Sequence, residues 1–316
     1  MQLLKEQTNF DFMGKRKIAA IFSVILIIIS ISSLVMNSLN FGIDFTGGTM
    51  IEIAYQEEAD INKIKSTMEQ AGYHDAVVQT FGSIHDVLIR LPIIEGKDMA
   101  ELSNNVVNTL QANHSTPIDV RRAEFVGPQV GEELTEQGGL AMLYALIGIL
   151  IYVSLRFEYR FAIGSVVALV HDVIITLGIF SVFQLEFDLT VLAAILAIIG
   201  YSLNDTIVVF DRIRETFLRQ RKGSPTEIVN RALNDTLSRT LMTSMTTLLV
   251  VASLFVFGGE VIHAFSIALL LGIVIGTYSS IYIASNTVLA MGVSKADLLP
   301  PVKENGHEIG EDGSQV

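Results

Sequence analysis

Six apolar runs dominate the hydrophobic pattern: Ile18–Met36, Gly138–Leu155, Phe161–Phe183, Leu189–Phe210, Leu241–Gly258 and Ala264–Ala290. Each reaches the roughly 18–20 residues that cross about 30 Å of hydrocarbon at about 1.5 Å per residue. The pattern predicts six transmembrane helices. Between the first and second runs the period changes. Thr49–Tyr55 alternates as a strand, and Ala59–Ala71 puts Ile61, Ile64 and Met68 on one side of a helix. Ala76–Phe81 and Asp86–Leu91 read as strands parted by Gly82-Ser83, Lys97–Gln111 as a helix and Ile118–Phe125 as a strand. That β-α-β-β-α-β order predicts one ferredoxin-like α+β domain within residues 37–137.

The other connections are short except 211–240. There Ser224-Pro225-Thr226-Glu227 is a helix start: an N-cap, proline at the first helical position, and Glu three residues after the cap. Ile228, Ala232, Leu233 and Leu237 follow on one face, so an amphipathic helix is expected at the membrane interface. No proline falls inside a span, which predicts unbroken helices. In the last span Gly272, Gly276, Ser280 and Ala284 recur every fourth position and permit close approach of another helix, within the chain or from a partner.

Composition agrees with a membrane protein: half of the residues are hydrophobic, and mean hydropathy is +0.50. There is no cysteine, which excludes disulfides, thiol catalysis and cysteine-ligated zinc. The net charge of -12 is unevenly spread. With the N-terminus inside, the segments 1–17, 156–160, 211–240 and 291–316 hold fifteen of the 21 Lys and Arg, and the short loops at 184–188 and 259–263 hold none. Both termini are therefore expected in the cytoplasm, with 37–137 outside. Lys15, Arg16 and Lys17 precede the first run, but the run is long for a signal core and no small-x-small cleavage site follows. The basic loop needs no nucleic acid, because topology and anionic lipid account for it. His74, His85 and His114 lack metal-ligand spacing.

Ionisable residues inside a span are costly and mark function. His171-Asp172 sits near the middle of the third span. Asn204-Asp205 lies about 9 Å inside the cytoplasmic end of the fourth, with Ser202 and Tyr201 close by in sequence. The nearest candidate cation for Asp205 is Arg239, at the mouth of the fifth span. A carboxylate that alternates between an arginine-paired, ionised state and an unpaired, protonated state is a proton switch. The opposing reading is a static polar contact that fixes packing. His171 and Asp172 are adjacent on one helix and point about 100° apart, which is not a relay by itself.

Several segments together resemble the SecF family, within the SecD/SecF group of the resistance-nodulation-division (RND) superfamily. They are Phe41-Gly42-Ile43-Asp44-Phe45-Thr46-Gly47-Gly48, Glu124–Gly131, Gly200–Glu215 and Ser238–Ser244. The likeness extends from about residue 10 to about 295; the acidic tail carries no signature. The first of these stretches, with Phe41, Gly42, Asp44, Gly47 and Gly48, matches the family signature. The resemblance implies a non-enzymatic bacterial inner-membrane subunit that pairs with SecD and associates with SecYEG and YajC. It implies use of the proton-motive force, with protons as coupling ion and no other cofactor, to assist the late stage of translocation of an unfolded polypeptide after SecA has acted. It also implies that Asp205 and Arg239 take part in proton passage, with Asn204 beside them. Three other readings compete: an RND-type exporter of lipids or small molecules, an intramembrane aspartyl protease using Asp172 and Asp205, and a non-conducting assembly scaffold.

Overall fold

The computed structural model describes residues 8–94, 99–114, 116–220 and 223–294. The chain runs α1 (Arg16–Asn37), β1 (Asn40–Phe41), α2 (Ile43–Thr46), β2 (Gly48–Ala54), α3 (Ile61–Gln70), β3 (Val77–Phe81) and β4 (Ser83–Leu91). It continues α4 (Met99–Ala112), β5 (Asp119–Val126), α5 (Pro128–Arg156), α6 (Tyr159–Phe183), β6 (Glu186–Phe187), α7 (Leu189–Arg219) and α8 (Pro225–Phe257). The last span comprises α9 (His263–Ser279), a π-helical turn (Ser280–Ala284) and α10 (Ser285–Ala290).

Among the described residues, six helices are long and apolar enough to cross a membrane. Three of them run far beyond the apolar segments that mark them in the sequence. Helix α5 starts at Pro128 rather than Gly138, because Pro at the first position and Gly127 at the cap begin it beyond the hydrocarbon. Helix α7 continues past Phe210 to Arg219. The amphipathic segment expected to lie separately at the interface is instead the first part of α8. No glycine or proline interrupts residues 226–257, so hydrogen bonding propagates through without a break. Its buried face, Ile228, Val229, Ala232 and Leu233, joins the core that holds Ile213 and Phe217 of the α7 extension. Ser224 accepts from the Glu227 N–H while the Glu227 carboxylate accepts from the Ser224 N–H, a closed capping box. Ser224→Ala is expected to lower stability by about 1 kcal/mol, read as a fall in unfolding midpoint. No change would mean that packing alone sets this helix end.

Helices α6 and α7 form the centre of the bundle: 50% and 56% of their apolar windows are buried, against 17% for α1 and 11% for α5. The outer helices leave Ile18, Ile25, Leu155, Leu249 and Phe257 exposed, the apolar band that a bilayer covers. Lipid supplies no hydrophobic drive between helices, so contact depends on small and polar residues. On α1 the buried residues are Ser23, Ser30 and Ser33. A Cβ added at Gly178 of α6 would stand 2.1 Å from Ser30 Oγ, and Ser33 Oγ lies 2.9 Å from Ser181 Oγ. The stripe in the last span packs within the chain: Gly272 lies against Ile198 of α7 and Gly276 against Ser202. That span is not the uninterrupted helix predicted from its lack of proline. A π turn widens it at Ser280–Ala284, a form that often marks functional positions.

The α+β domain between α1 and α5 has an antiparallel sheet in the order β3-β4-β2-β5, a split β-α-β pattern. Ile51 and Ile53 of β2 with Val87 and Ile89 of β4 form a core with Ile64 and Met68 of α3 and Leu102 and Val106 of α4. Strand β4 begins at Ser83, earlier than Asp86, because pairing with β3 extends to Phe81. The expected start of α4 at Lys97 and the tail from residue 295 lie outside the described residues.

Candidate functional site

Asp205 of α7 is 2% exposed. Among the described residues its carboxylate meets two hydroxyls: Thr243 Oγ1 is 3.5 Å from Oδ1 and Ser244 Oγ is 3.5 Å from Oδ2, both from α8. These are long contacts at the edge of hydrogen bonding. Ser244 Oγ lies 2.7 Å from Thr277 Oγ1 of α9, so three helices converge on one acid. The hydroxyls of Tyr201, Thr206 and Thr240 are also buried and lack partners among the described residues.

Arg239 makes no ion pair with Asp205 among the described residues, which is the unpaired one of the two arrangements the switch reading invokes. It is exposed, and among the described residues its side chain forms no hydrogen bond or ion pair. The α7–α8 crossing brings the next turn of α8, Thr243 and Ser244, to the acid, while the guanidinium keeps its hydration at the bundle end. Asn204, the residue before Asp205 on α7, is exposed.

His171 and Asp172 do meet, despite their angular separation on α6. His171 Nδ1 lies 2.9 Å from Asp172 Oδ1, and the residues are 3% and 1% exposed. A side chain of several bonds swings across the 100° that separates the Cβ directions. Asp172 Oδ2 accepts from Ser202 Oγ at 2.6 Å and Ser279 Oγ at 2.7 Å. The His171 ring stacks on Tyr278, whose hydroxyl donates to the Ala19 carbonyl and lies 2.9 Å from Ser23 Oγ. Asp172 and Asp205 have separate hydrogen-bond partners, and no described contact joins the two carboxylates.

The signature Phe41–Gly48 joins the α+β domain to one end of the bundle. Strand β1 pairs in parallel with β6, in the loop between α6 and α7. Asp44 Oδ2 accepts from the N–H of Leu189, the first residue of α7. Phe41, Phe45 and Phe187 form an aromatic cluster. Gly48 has φ +129°, and a Cβ there would lie 2.4 Å from the Leu91 carbonyl oxygen. Arg90 of β4 adds an ion pair to Glu186 at 3.2 Å. The cleft between sheet and bundle, about 260 Å³, is lined by Asp44, Glu124, Glu186, Asp188, Glu260 and His263 among others.

Burial pushes the Glu186 carboxyl above the usual range; Arg90 offsets part of this, and Asp188 and Asp44 push it further up. A raised carboxyl favours the folded state below its ordinary value, and that contribution disappears as pH rises through the raised one. The folded protein should therefore lose stability as pH rises across that interval. Glu186→Gln, measured by thermal unfolding over the same range, should flatten the dependence. An unchanged profile would assign it to another group.

The hydroxyls Ser244, Thr277, Ser279 and Ser23 and the Arg90–Glu186 pair escape sequence reasoning. Their one signal is small polar residues within apolar spans, which is shared by residues that only pack. A family model described as "Protein export membrane protein SecD/SecF, C-terminal" matches residues 106–294, and "SecD/SecF GG Motif" matches 33–59. "Protein translocase subunit SecF" of Vibrio alginolyticus is 51% identical over 311 residues, covering 98% of this chain and 99% of that protein. Its counterpart in Pseudomonas aeruginosa is 50% identical, covering 93% of this chain and 95% of that protein. A crystal structure of SecDF, a translocon-associated membrane protein from Thermus thermophilus, matches with TM-score 0.82 and 37% identity. The match covers 92% of this chain and 39% of that one, so this chain spans well under half of the solved protein.

Proposed function

The chain belongs to the SecF family of protein translocase subunits, and on that premise we propose that it harnesses the proton-motive force to assist late-stage translocation through the Sec channel. It is a multi-pass membrane protein and a transport component. In this reading it resides in the inner membrane with both termini cytoplasmic and its ferredoxin-like domain periplasmic. It works beside a SecD-like half, with SecYEG, YajC and SecA as the wider machinery and an unfolded polypeptide as cargo. Protons are the coupling ion.

The observation that carries the reading is Asp205: a carboxyl buried in a membrane bundle, held by two long hydroxyl contacts, with no ion pair to it among the described residues. Such a group changes protonation when its surroundings change. Arg239 is the cation that an altered α7–α8 crossing could bring to it, and Asn204, exposed beside it, is available to a partner half. Motion of α7 would reach the α+β domain through Asp44, which bonds the first N–H of that helix. The test uses membrane vesicles carrying the whole complex and a cargo stalled after SecA action. An imposed proton gradient should speed completion when the chain is present and not when it is depleted. A gradient response that survives depletion would overturn the proposal.

A further inference from the structure

Resting on the proton-driven reading above, we propose that His171 and Asp172 form a second proton-binding site, distinct from Asp205 and linked to it through two shared helices.

The pair is built as a charged unit. Asp172 is satisfied as a carboxylate by three groups: His171 Nδ1 on Oδ1, and the Ser202 and Ser279 hydroxyls on Oδ2. With Nδ1–H given to the carboxylate, His171 Nε2 is a bare lone pair. Nε2 is buried and has no hydrogen-bond partner among the described residues. A buried orphan of this kind calls for an occupant, a water or a proton. A proton added to that lone pair takes the unit from one net negative charge to neutral and leaves the Nδ1–H bond to Asp172 intact. The gain is large where a net charge lies in hydrocarbon. The ring is held in place by stacking on Tyr278, the one titratable group from a neighbouring helix with a described contact to the pair.

The link to Asp205 is short. Ser202 lies on α7, three residues before Asp205. Ser279 lies on α9, two residues after Thr277, which touches the Ser244 that meets Asp205. Of the two helices that hold the pair's carboxylate, α7 thus carries Asp205 and α9 touches the Ser244 that meets it. The π turn begins at Ser280, immediately after Ser279, where a helix can change pitch.

The test compares wild type with His171→Gln in the complete complex, in vesicles with an imposed gradient. Export rate is measured against pH on the proton-rich side. Glutamine can keep an N–H toward Asp172 and cannot take up a proton. Wild type should show a steepness of about two protons and the variant about one, as for coupled and single titrations. Equal steepness in both overturns the second site. Asp205→Asn separates the two ideas. If it leaves export unchanged, the proton-driven reading fails; if it abolishes the gradient response while His171→Gln keeps wild-type steepness, only the second site fails. Should His171→Gln not assemble or not export, infrared spectra decide. They are taken on a complex in which His171 is the single, ring-labelled histidine of this chain. Imidazolium bands that appear on acidification support the site, and a ring that stays neutral throughout overturns it.

Discussion

Asp205→Asn is expected to leave the complex assembled and to abolish the gradient-dependent part of export. The variant keeps size and shape but removes the one ionisable atom group. Its cost to folding should be small, under about 1 kcal/mol, because the carboxylate has only two 3.5 Å hydroxyl contacts to lose. An amide also avoids the desolvation penalty of a buried charge. Loss of gradient response should therefore occur with normal abundance and normal co-purification of partners. Asp172→Asn should behave differently. That carboxylate is tied at 2.6, 2.7 and 2.9 Å, and an amide turned toward those donors leaves one unsatisfied. It should lower stability by about 1–3 kcal/mol. Arg239→Met provides the complementary test. The residue is exposed and makes no ion pair among the described residues, so assembly should hold while the gradient response falls. If Asp205→Asn exports at the wild-type rate under a gradient, the acid only packs.

Gly48→Ala is expected to cost about 3 kcal/mol and to disrupt the base of the α+β domain. Two effects act together. The φ of +129° is one that L residues rarely adopt, and the added Cβ would meet the Leu91 carbonyl oxygen at 2.4 Å. That oxygen belongs to backbone, which cannot swing aside as a side chain can. Gly48 opens β2, the strand flanked by both β4 and β5, so a shift there spreads across the sheet. Gly72→Ala is the control. It also has positive φ, +89°, but nothing lies within 4 Å of the new Cβ, so it should cost only about 1 kcal/mol of backbone strain. Hydrogen exchange in β2 and β4 would register the difference. Equal protection in the two variants would remove the close approach as the reason for glycine at this position.

Several features were legible without a structure because they depend on local or one-dimensional physics. A run of apolar residues long enough to cross hydrocarbon has one low-energy state in a bilayer, the helix, since lipid satisfies no backbone group. Period-2 and period-3.6 patterns located the strands and helices of the α+β domain for a similar reason. The capping box at Ser224 is a contact between near neighbours and was readable from four letters. Asp205 and His171-Asp172 stood out because charge inside a span is expensive wherever the chain goes.

What the sequence could not decide was which groups meet. The start of α8 read as an interfacial helix because its amphipathic face fits a membrane surface as well as it fits α7; only the packed α7 extension chooses. Arg239 was the natural partner for Asp205 by proximity in sequence, yet the helix crossing brings hydroxyls there instead. His171 and Asp172 touch through side-chain rotation that backbone geometry does not dictate. Gly48 and Asp44 acquire their reasons from Leu91 and Leu189, residues remote in the chain. By itself the chain's order of polar and apolar residues determined six spans, one α+β domain and the buried charges, because solvation acts on each segment where it stands. Only the tertiary structure decided the partners of those charges, because contact geometry depends on how separate helices cross.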